Sequence, residues 1–379
     1  MAVHGAIGWV APLCRLGDLG GAATASESTD CVSSHKQELL MSDEIKLSVV
    51  IPTMGRPIVI ETLKSLIRCR GFESTEVIVA GKIKDEAILE QLQQLQREHP
   101  RIVHLPIQFE QGDSSEKKNA GFHASKAEIV AFLDDDVIVA PDWPLLICEP
   151  FENPAVGLVS GPSLIPEDIN LVGRLAGLAL ASRAAGYVAD RYRQGQDETR
   201  PINWSRIIGC NAAYRRKAFE GMGTFDPAFY PGEEMIASHK TQELGWTLMF
   251  IPRAYVYHYP RQSIQRFWKQ MWGYGATRIR LFRGGVEFEP ATIVPMIWVL
   301  SLIVLGLGSV FSEAARILFL MDLGLYALAD LFITLEMFNE TRRFKDFLLF
   351  LLIPVMHVSY GLAEWAEFFR PNKDLSERH

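Results

Sequence analysis

Cysteine is sparse in this chain, basic residues do not outnumber acidic ones, and no long apolar run occurs in the first two-thirds of its length. The five cysteines (Cys14, Cys31, Cys69, Cys148 and Cys210) are odd in number and include no Cys-x-x-Cys pair. That excludes a disulfide scaffold, argues against a cysteine zinc site and fits a reducing compartment. Lys and Arg number 38 against 45 Asp and Glu, for a net charge of −7. Such a chain lacks the broad positive field through which proteins hold nucleic-acid phosphates, so no nucleic-acid partner is expected. Gly and Pro follow no short period, which removes a collagen-like chain. Residues 1–40 have neither a helical nor a strand period. The Lys/Arg-led apolar run of a secretory signal is missing, because 2–16 is broken by Gly, Pro, His and Arg. They read as a disordered or non-native extension, with Met41 as the expected start of translation.

What is present is unevenly distributed. Hydrophobic residues make up 48% and charged residues 22% of the 379 positions, and mean hydropathy is slightly positive at +0.08. The apolar excess lies at 291–311, an uncharged run, and again at 347–363. At about 1.5 Å per residue the first run reaches roughly 31 Å, about the thickness of a hydrocarbon core. Between them, 314–335 is long enough to span but carries Arg316, Asp322 and Asp330, which predicts a packed membrane helix or an in-plane one. Arg342, Arg343 and Lys345, with the basic residues before 291, place both ends of this hairpin on the cytosolic side. Arg370, Lys373 and Arg378 fall on the opposite side if the third run spans. Upstream, 264–282 mixes Arg266, Lys269, Arg278 and Arg280 with Phe267, Trp268, Trp272, Tyr274 and Phe282, the pattern of a helix lying in a membrane interface.

From residue 46 onward, strands expected at 47–51, 77–80, 102–105 and 129–133 alternate with helices at 58–68, 85–99 and 117–126. Alternation of this kind implies crossover connections, hence an α/β fold with a mostly parallel sheet and flanking helices. Ligands bind outside the carboxyl ends of such strands. There the chain places Asp134, Asp135 and Asp136, directly after the apolar strand 129–133. Carboxylates at the first and third positions of such a turn can hold a divalent cation, Mn²⁺ or Mg²⁺, although Asp is also a common residue of a solvated turn. Gly232-Glu233-Glu234 offers two adjacent carboxylates that raise each other's pKa and suit proton transfer, or that serve a helix N-terminus. His258 ends an apolar stretch, where it can complete a metal shell, bind phosphate or act structurally. Arg56, Arg261, Lys117 and Lys118 supply positive charge for a phosphate.

In their order and spacing these segments resemble the family 2 glycosyltransferases, inverting enzymes built on the GT-A nucleotide-diphospho-sugar fold. The resemblance runs from 47 to about 283. It rests on 49–57 (Val-Val-Ile-Pro-Thr-Met-Gly-Arg-Pro), 118–121 (Lys-Asn-Ala-Gly) and 132–136 (Phe-Leu-Asp-Asp-Asp). It continues through 209–215, 223–226, 232–234 and 258–261. The resemblance implies that Pro52, Thr53 and Arg56 line the nucleotide site and that Lys118 and Asn119 contact the donor. It implies Asp134 and Asp136 as the Asp-x-Asp pair for metal and donor, with Asp135 beside them on the donor. Glu234 matches the position of the catalytic base, Glu233 is its neighbour, and His258 is a third metal-side ligand. Residues 209–211 shape the acceptor side. The C-terminal part is similar to the membrane-attached branch that builds exopolysaccharide or lipid-linked sugar chains. Two departures stand out. Residues 80–86 (Ala-Gly-Lys-Ile-Lys-Asp-Glu) replace the usual Asp-rich base-reading turn, and the Arg expected after the acidic pair is missing, with Lys240 offering a point charge instead of a fork.

The expected organisation is therefore an extension at 1–40, a GT-A domain at 41–260, an amphipathic interface region at 261–288, two to three transmembrane helices within 289–365, and a tail at 366–379. The resemblance implies metal-dependent, inverting transfer from a nucleotide-diphosphate sugar to a lipid-linked or polysaccharide acceptor at the membrane, with the catalytic domain facing the cytoplasm. A polyprenyl-phosphate sugar synthase and a non-catalytic sugar-nucleotide-binding scaffold are the alternatives. A polymerising synthase is disfavoured because a Gln-x-x-Arg-Trp motif is absent.

Overall fold

The computed structural model describes residues 44–108, 114–194, 198–286 and 290–370. The expectations for 1–40, for Met41 and for the tail beyond 370 lie outside the described residues.

Strands β1 (Leu47–Pro52), β2 (Thr75–Ala80), β3 (Ile102–Leu105) and β4 (Ile129–Leu133) alternate with helices α1 (Ile58–Ile67), α2 (Glu86–Glu98) and α3 (Ser114–Ala124). β1 and β2 are rich in β-branched residues and buried along their whole length, as strands covered on both faces must be. Next come β5 (Val137–Val139), α4 (Trp143–Cys148), β6 (Val156–Ser160), β7 (Ser163–Leu164), α5 (Leu171–Ala181) and β8 (Arg200–Ile202). The unit closes with β9 (Asn211–Arg215), α6 (Arg216–Gly221), α7 (Glu233–Glu243), β10 (Thr247–Phe250) and β11 (Val256–His258).

The main sheet has eight strands in the order β3-β2-β1-β4-β9-β6-β10-β8. Its first four strands are mutually parallel, as the crossovers require. The second half is mixed: β9 runs antiparallel to both β4 and β6, β10 is parallel to β6, and β8 is an antiparallel edge. A separate three-stranded sheet, β5-β11-β7, stands beyond the carboxyl end of β4.

Two registers build the site. β4 pairs antiparallel with β9 so that Leu133 faces Asn211, which brings Asp134, just after β4, and Cys210, just before β9, together. β5 pairs with β11 so that Val137 faces His258, which returns the imidazole to the aspartate turn.

Four helices follow: α8 (Ile264–Arg283), α9 (Val294–Gly308), α10 (Glu313–Thr341) and α11 (Leu349–Phe368). Three segments, Pro290–Gly308, Glu313–Thr341 and Phe344–Phe368, are long and apolar enough to cross a membrane. α9 and α10 present mostly exposed apolar side chains, whereas α11 is much more buried. α8 buries Phe267, Met271, Ile279 and Leu281 and packs along α11, while Trp272 and Phe282 stay exposed. Its apolar face is thus largely occupied by protein. Of the three charges predicted to complicate α10, two are engaged by protein: Asp322 accepts from the Ser301 hydroxyl at 2.9 Å, and Asp330 is buried beside Thr334, while Arg316 is exposed.

Candidate active site

The aspartate turn after β4 is held from one side by the loop after β1. The Thr53 hydroxyl donates to Asp135 at 2.7 Å, the Met54 amide donates to the same oxygen at 3.3 Å, and the Arg56 guanidinium donates to the other. Arg56 reaches Asp136 as well, at 3.1 Å. The Asp135 carboxylate is thereby turned towards β1, and its backbone carbonyl accepts from Thr62 at 3.0 Å. Pro52 is the buried last residue of β1, paired with Ala80. Gly81 follows at φ +148°, where a Cβ would lie 2.1 Å from the Thr53 carbonyl oxygen, so these strand ends can approach only with glycine there. Asp85 caps α2 through the Ala87 and Ile88 amides.

His258 reaches the turn from the other side. Its Nε2 lies 3.1 Å from Asp136 and 3.9 Å from Asp134. Ligand atoms of Asp134, Cys210 and His258 all fall within 4.8 Å of one another, a group that could hold a metal ion. The three residues expected on the metal side, Asp134, Asp136 and His258, are therefore brought together. Cys210 was expected only on the acceptor side. The signal that could have revealed it is its position immediately before β9, the strand that faces the end of β4.

The two glutamates at the start of α7 have different surroundings. Glu233 is buried and accepts from Lys118 Nζ at 3.1 Å and from the Gly232 amide at 3.1 Å. Glu234 is partly exposed, and its side chain lies flat against Gly209, where a Cβ would meet it at 3.0 Å. Asn119 is engaged at both ends with Phe225, donating to its carbonyl at 2.8 Å and accepting from its amide at 3.0 Å. The Lys117 ammonium donates to the Thr53 carbonyl at 2.9 Å.

A cavity of about 1040 Å³ opens over this cluster. Lys118, Asp134, Cys210, Glu233, Glu234 and His258 line one end. Arg261, Arg266 and Lys269 line its flank, and Trp298, Asp322 and Tyr326 from the apolar helices line the far end. Arg191, which sequence reading passed over, also lines it and bears electrostatically on Glu234.

The charges are tuned accordingly. Burial, then the neighbouring Glu233 charge, pushes the Glu234 carboxyl above its ordinary range. Burial also raises Asp134, against the opposing pull of Lys118 and His258. Burial works against ionisation of Asp136 too, but the His258 hydrogen bond and charge, with Arg56 and Arg261, bring it well down. Lys118 is buried, yet Glu233, Asp134 and Glu234 hold it charged.

Residues 45–275 match the family described as glycosyltransferase like family 2. Among curated relatives, the chain is 34% identical over 92 residues to a GalNAc(5)-diNAcBac-PP-undecaprenol beta-1,3-glucosyltransferase of Campylobacter jejuni, covering 24% of this chain and 29% of that protein. It is 27% identical over 173 residues to an O-antigen chain rhamnosyltransferase of Salmonella anatum, covering 44% of this chain and 52% of that one. The matched segments thus span about half or less of these relatives' lengths. A mannosyltransferase from Pyrobaculum calidifontis, solved with GDP-Man and Mn²⁺, superposes with a TM-score of 0.58 at 14% identity, covering 90% of this chain and 94% of that one, a likeness of fold.

Proposed function

The chain belongs to the family 2 glycosyltransferases, and from that premise we propose that it transfers a sugar from a nucleotide-diphosphate sugar to a hydroxyl of a lipid-linked acceptor, with inversion at the anomeric carbon. The observation that carries this reading is the continuous cavity, which has Glu234 and Asp134 in one wall and Trp298 and Tyr326 of the apolar helices in another. An acceptor with a sugar head and a lipid tail suits such a space. Arg261, Arg266 and Lys269 are exposed cations along its flank, matched to the phosphates that join such a head to its lipid.

In the reaction, Glu234 accepts the proton of the attacking hydroxyl. Its raised pKa leaves it a stronger base than an ordinary carboxylate. The hydroxyl oxygen attacks the anomeric carbon on the face opposite the diphosphate, and one displacement inverts the centre. Glu233 neutralises Lys118 and holds its ammonium beside Asp134 and Glu234. Arg56 fixes the aspartate turn against β1. Asp134, Asp136 and His258 would hold the divalent ion, Mn²⁺ or Mg²⁺, whose charge when bound stabilises the departing diphosphate. Support for a lipid-linked acceptor comes also from the Campylobacter relative, a glucosyltransferase named for a PP-undecaprenol-linked sugar chain.

The test is transfer by the full chain in detergent, assayed with a panel of nucleotide sugars and a polyprenyl-diphosphate-linked sugar acceptor. Glu234→Gln is expected to lower kcat by roughly 10²- to 10⁴-fold, the usual worth of a general base, and Asp136→Ala to abolish transfer. Full turnover by Glu234→Gln would overturn the base assignment. Transfer to bare polyprenyl phosphate in place of a sugar hydroxyl would favour a lipid-phosphate sugar synthase.

A further inference from the structure

The family reading accounts for the aspartates and His258 and gives Cys210 only a place on the acceptor side. Cys210 is a buried cysteine that lines the cavity and stands against His258. Its position is not incidental. The β4–β9 register sets it across from Asp134, and the β5–β11 register brings the imidazole to the same point. The result is a carboxylate, an imidazole and a thiol whose ligand atoms all lie within 4.8 Å of one another. Neighbouring ligands of a tetrahedral Zn²⁺-sized ion stand about 3.6 Å apart, from roughly 2.3 Å to sulfur and 2.1 Å to nitrogen. Shifts of under an ångström in each side chain would therefore close the set around an ion.

We propose that Cys210 supplies a thiolate ligand to the divalent ion of this site, making it a carboxylate–imidazole–thiolate site that prefers Zn²⁺- or Co²⁺-class ions to Mg²⁺. A thiolate is a soft ligand that selects such ions, whereas an all-oxygen set suits Mg²⁺. On binding, the Sγ–H bond breaks, the proton leaves through the cavity to water, and the sulfur lone pair forms the bond to the metal. The two other cysteines among the described residues are placed differently. Cys69 points its thiol at the Ser65 and Ala140 carbonyls, and neither it nor Cys148 lines the cavity.

This inference rests on the reading that the site takes a divalent ion, so its test does not use turnover. The metal-free full chain in detergent is titrated with Co²⁺ and followed by absorption. The expected result is a sulfur-to-cobalt charge-transfer band in the near ultraviolet, retained in Cys69→Ser and Cys148→Ser. Cys210→Ser should lose that band and weaken Co²⁺ binding about 10-fold or more, a loss at least as large as removal of an outer-shell partner brings, with Mg²⁺ binding little changed. Matched thermal unfolding of the metal-free forms establishes that the variant is folded. A Co²⁺ spectrum that depends on His258 but carries no sulfur band would overturn the role of Cys210 and leave the metal reading intact. Absence of any Co²⁺ binding would overturn both, and a band surviving in Cys210→Ser would assign it to another thiol.

Discussion

Adjacent carboxylates at the start of α7 do different work because a lysine 115 positions earlier reaches only one of them. Lys118 and Glu233 form a buried pair, with side chains 4% and 3% exposed. Removing one partner of such a pair leaves an uncompensated charge, which typically costs about 3–5 kcal/mol. Lys118→Met should therefore lower stability by an amount of that order in thermal unfolding. Glu234→Gln should change it by about 1 kcal/mol or less, since burial already disfavours the Glu234 charge. The same pair sets the pH response. Glu234 is raised by burial first and by Glu233 second, so its proton-accepting form is lost, as pH falls, at a value above the ordinary glutamate pKa of about 4.3. Glu233→Gln removes a charge that raises Glu234 while keeping the lowering influence of Lys118. The acid limb of the kcat/KM profile should accordingly move to lower pH in that variant, and a limb that moves up or stays would refute the coupling. The sequence made the glutamates visible as a pair. It could not divide their roles, because the division depends on a contact between distant segments.

Among elements, the strands at 47–51, 77–80, 102–105 and 129–133 were legible because each is a short apolar or β-branched run bounded by helical spacing, and each lies within an observed strand. β8 contains Pro201 and β7 has two residues, so neither carries a local signal. They exist through pairing with β10 and β11. The apolar run at 314–335 lies in a helix that continues to Thr341, and in that extension Glu336 and Glu340 meet Arg183 and Arg193, again a distant pairing. The α8–α11 crossing was not legible either, and it depends on a single small residue. A Cβ on Gly275 would stand 2.2 Å from the Tyr360 carbonyl oxygen, which is backbone and cannot swing aside. Gly275→Ala should destabilise the chain by about 1–3 kcal/mol or more. Gly324 of α10 has nothing within 4 Å of its would-be Cβ, so Gly324→Ala should be neutral or slightly stabilising. Equal unfolding temperatures for the two variants would show that the crossing does not limit stability.

At the scale of the whole molecule, the third apolar helix decides the membrane topology. The sequence left a conflict: if 347–363 spans, Arg370, Lys373 and Arg378 fall on the side opposite Arg342, Arg343 and Lys345, against the positive-inside tendency. The packing suggests how the conflict resolves. Near its start, Asp346 is clamped by Arg174, at 2.9 and 2.7 Å, and at its end the Phe368 and Arg370 carbonyls accept from Arg283 at 2.9 and 3.2 Å. Arg174 belongs to α5 of the sheet unit and Arg283 to the last turn of α8. Between those points α11 packs along α8, α9 and α5; its Ser359 hydroxyl donates to the Trp268 carbonyl of α8 at 2.8 Å and its Trp365 indole to the Met296 carbonyl of α9 at 2.9 Å. The contact with α8 is the most extensive of these, and a helix anchored by Arg174 and Arg283 at its ends is better placed to lie beside α8 at the membrane surface than to cross. We therefore expect two crossings, α9 and α10, with the segment after 370 on the same side as the sheet. In sealed vesicles oriented so that an epitope after 370 can be probed beside one in the loop carrying Lys82, both should be digested by external protease together or protected together. Opposite accessibility of the two would mean that α11 spans.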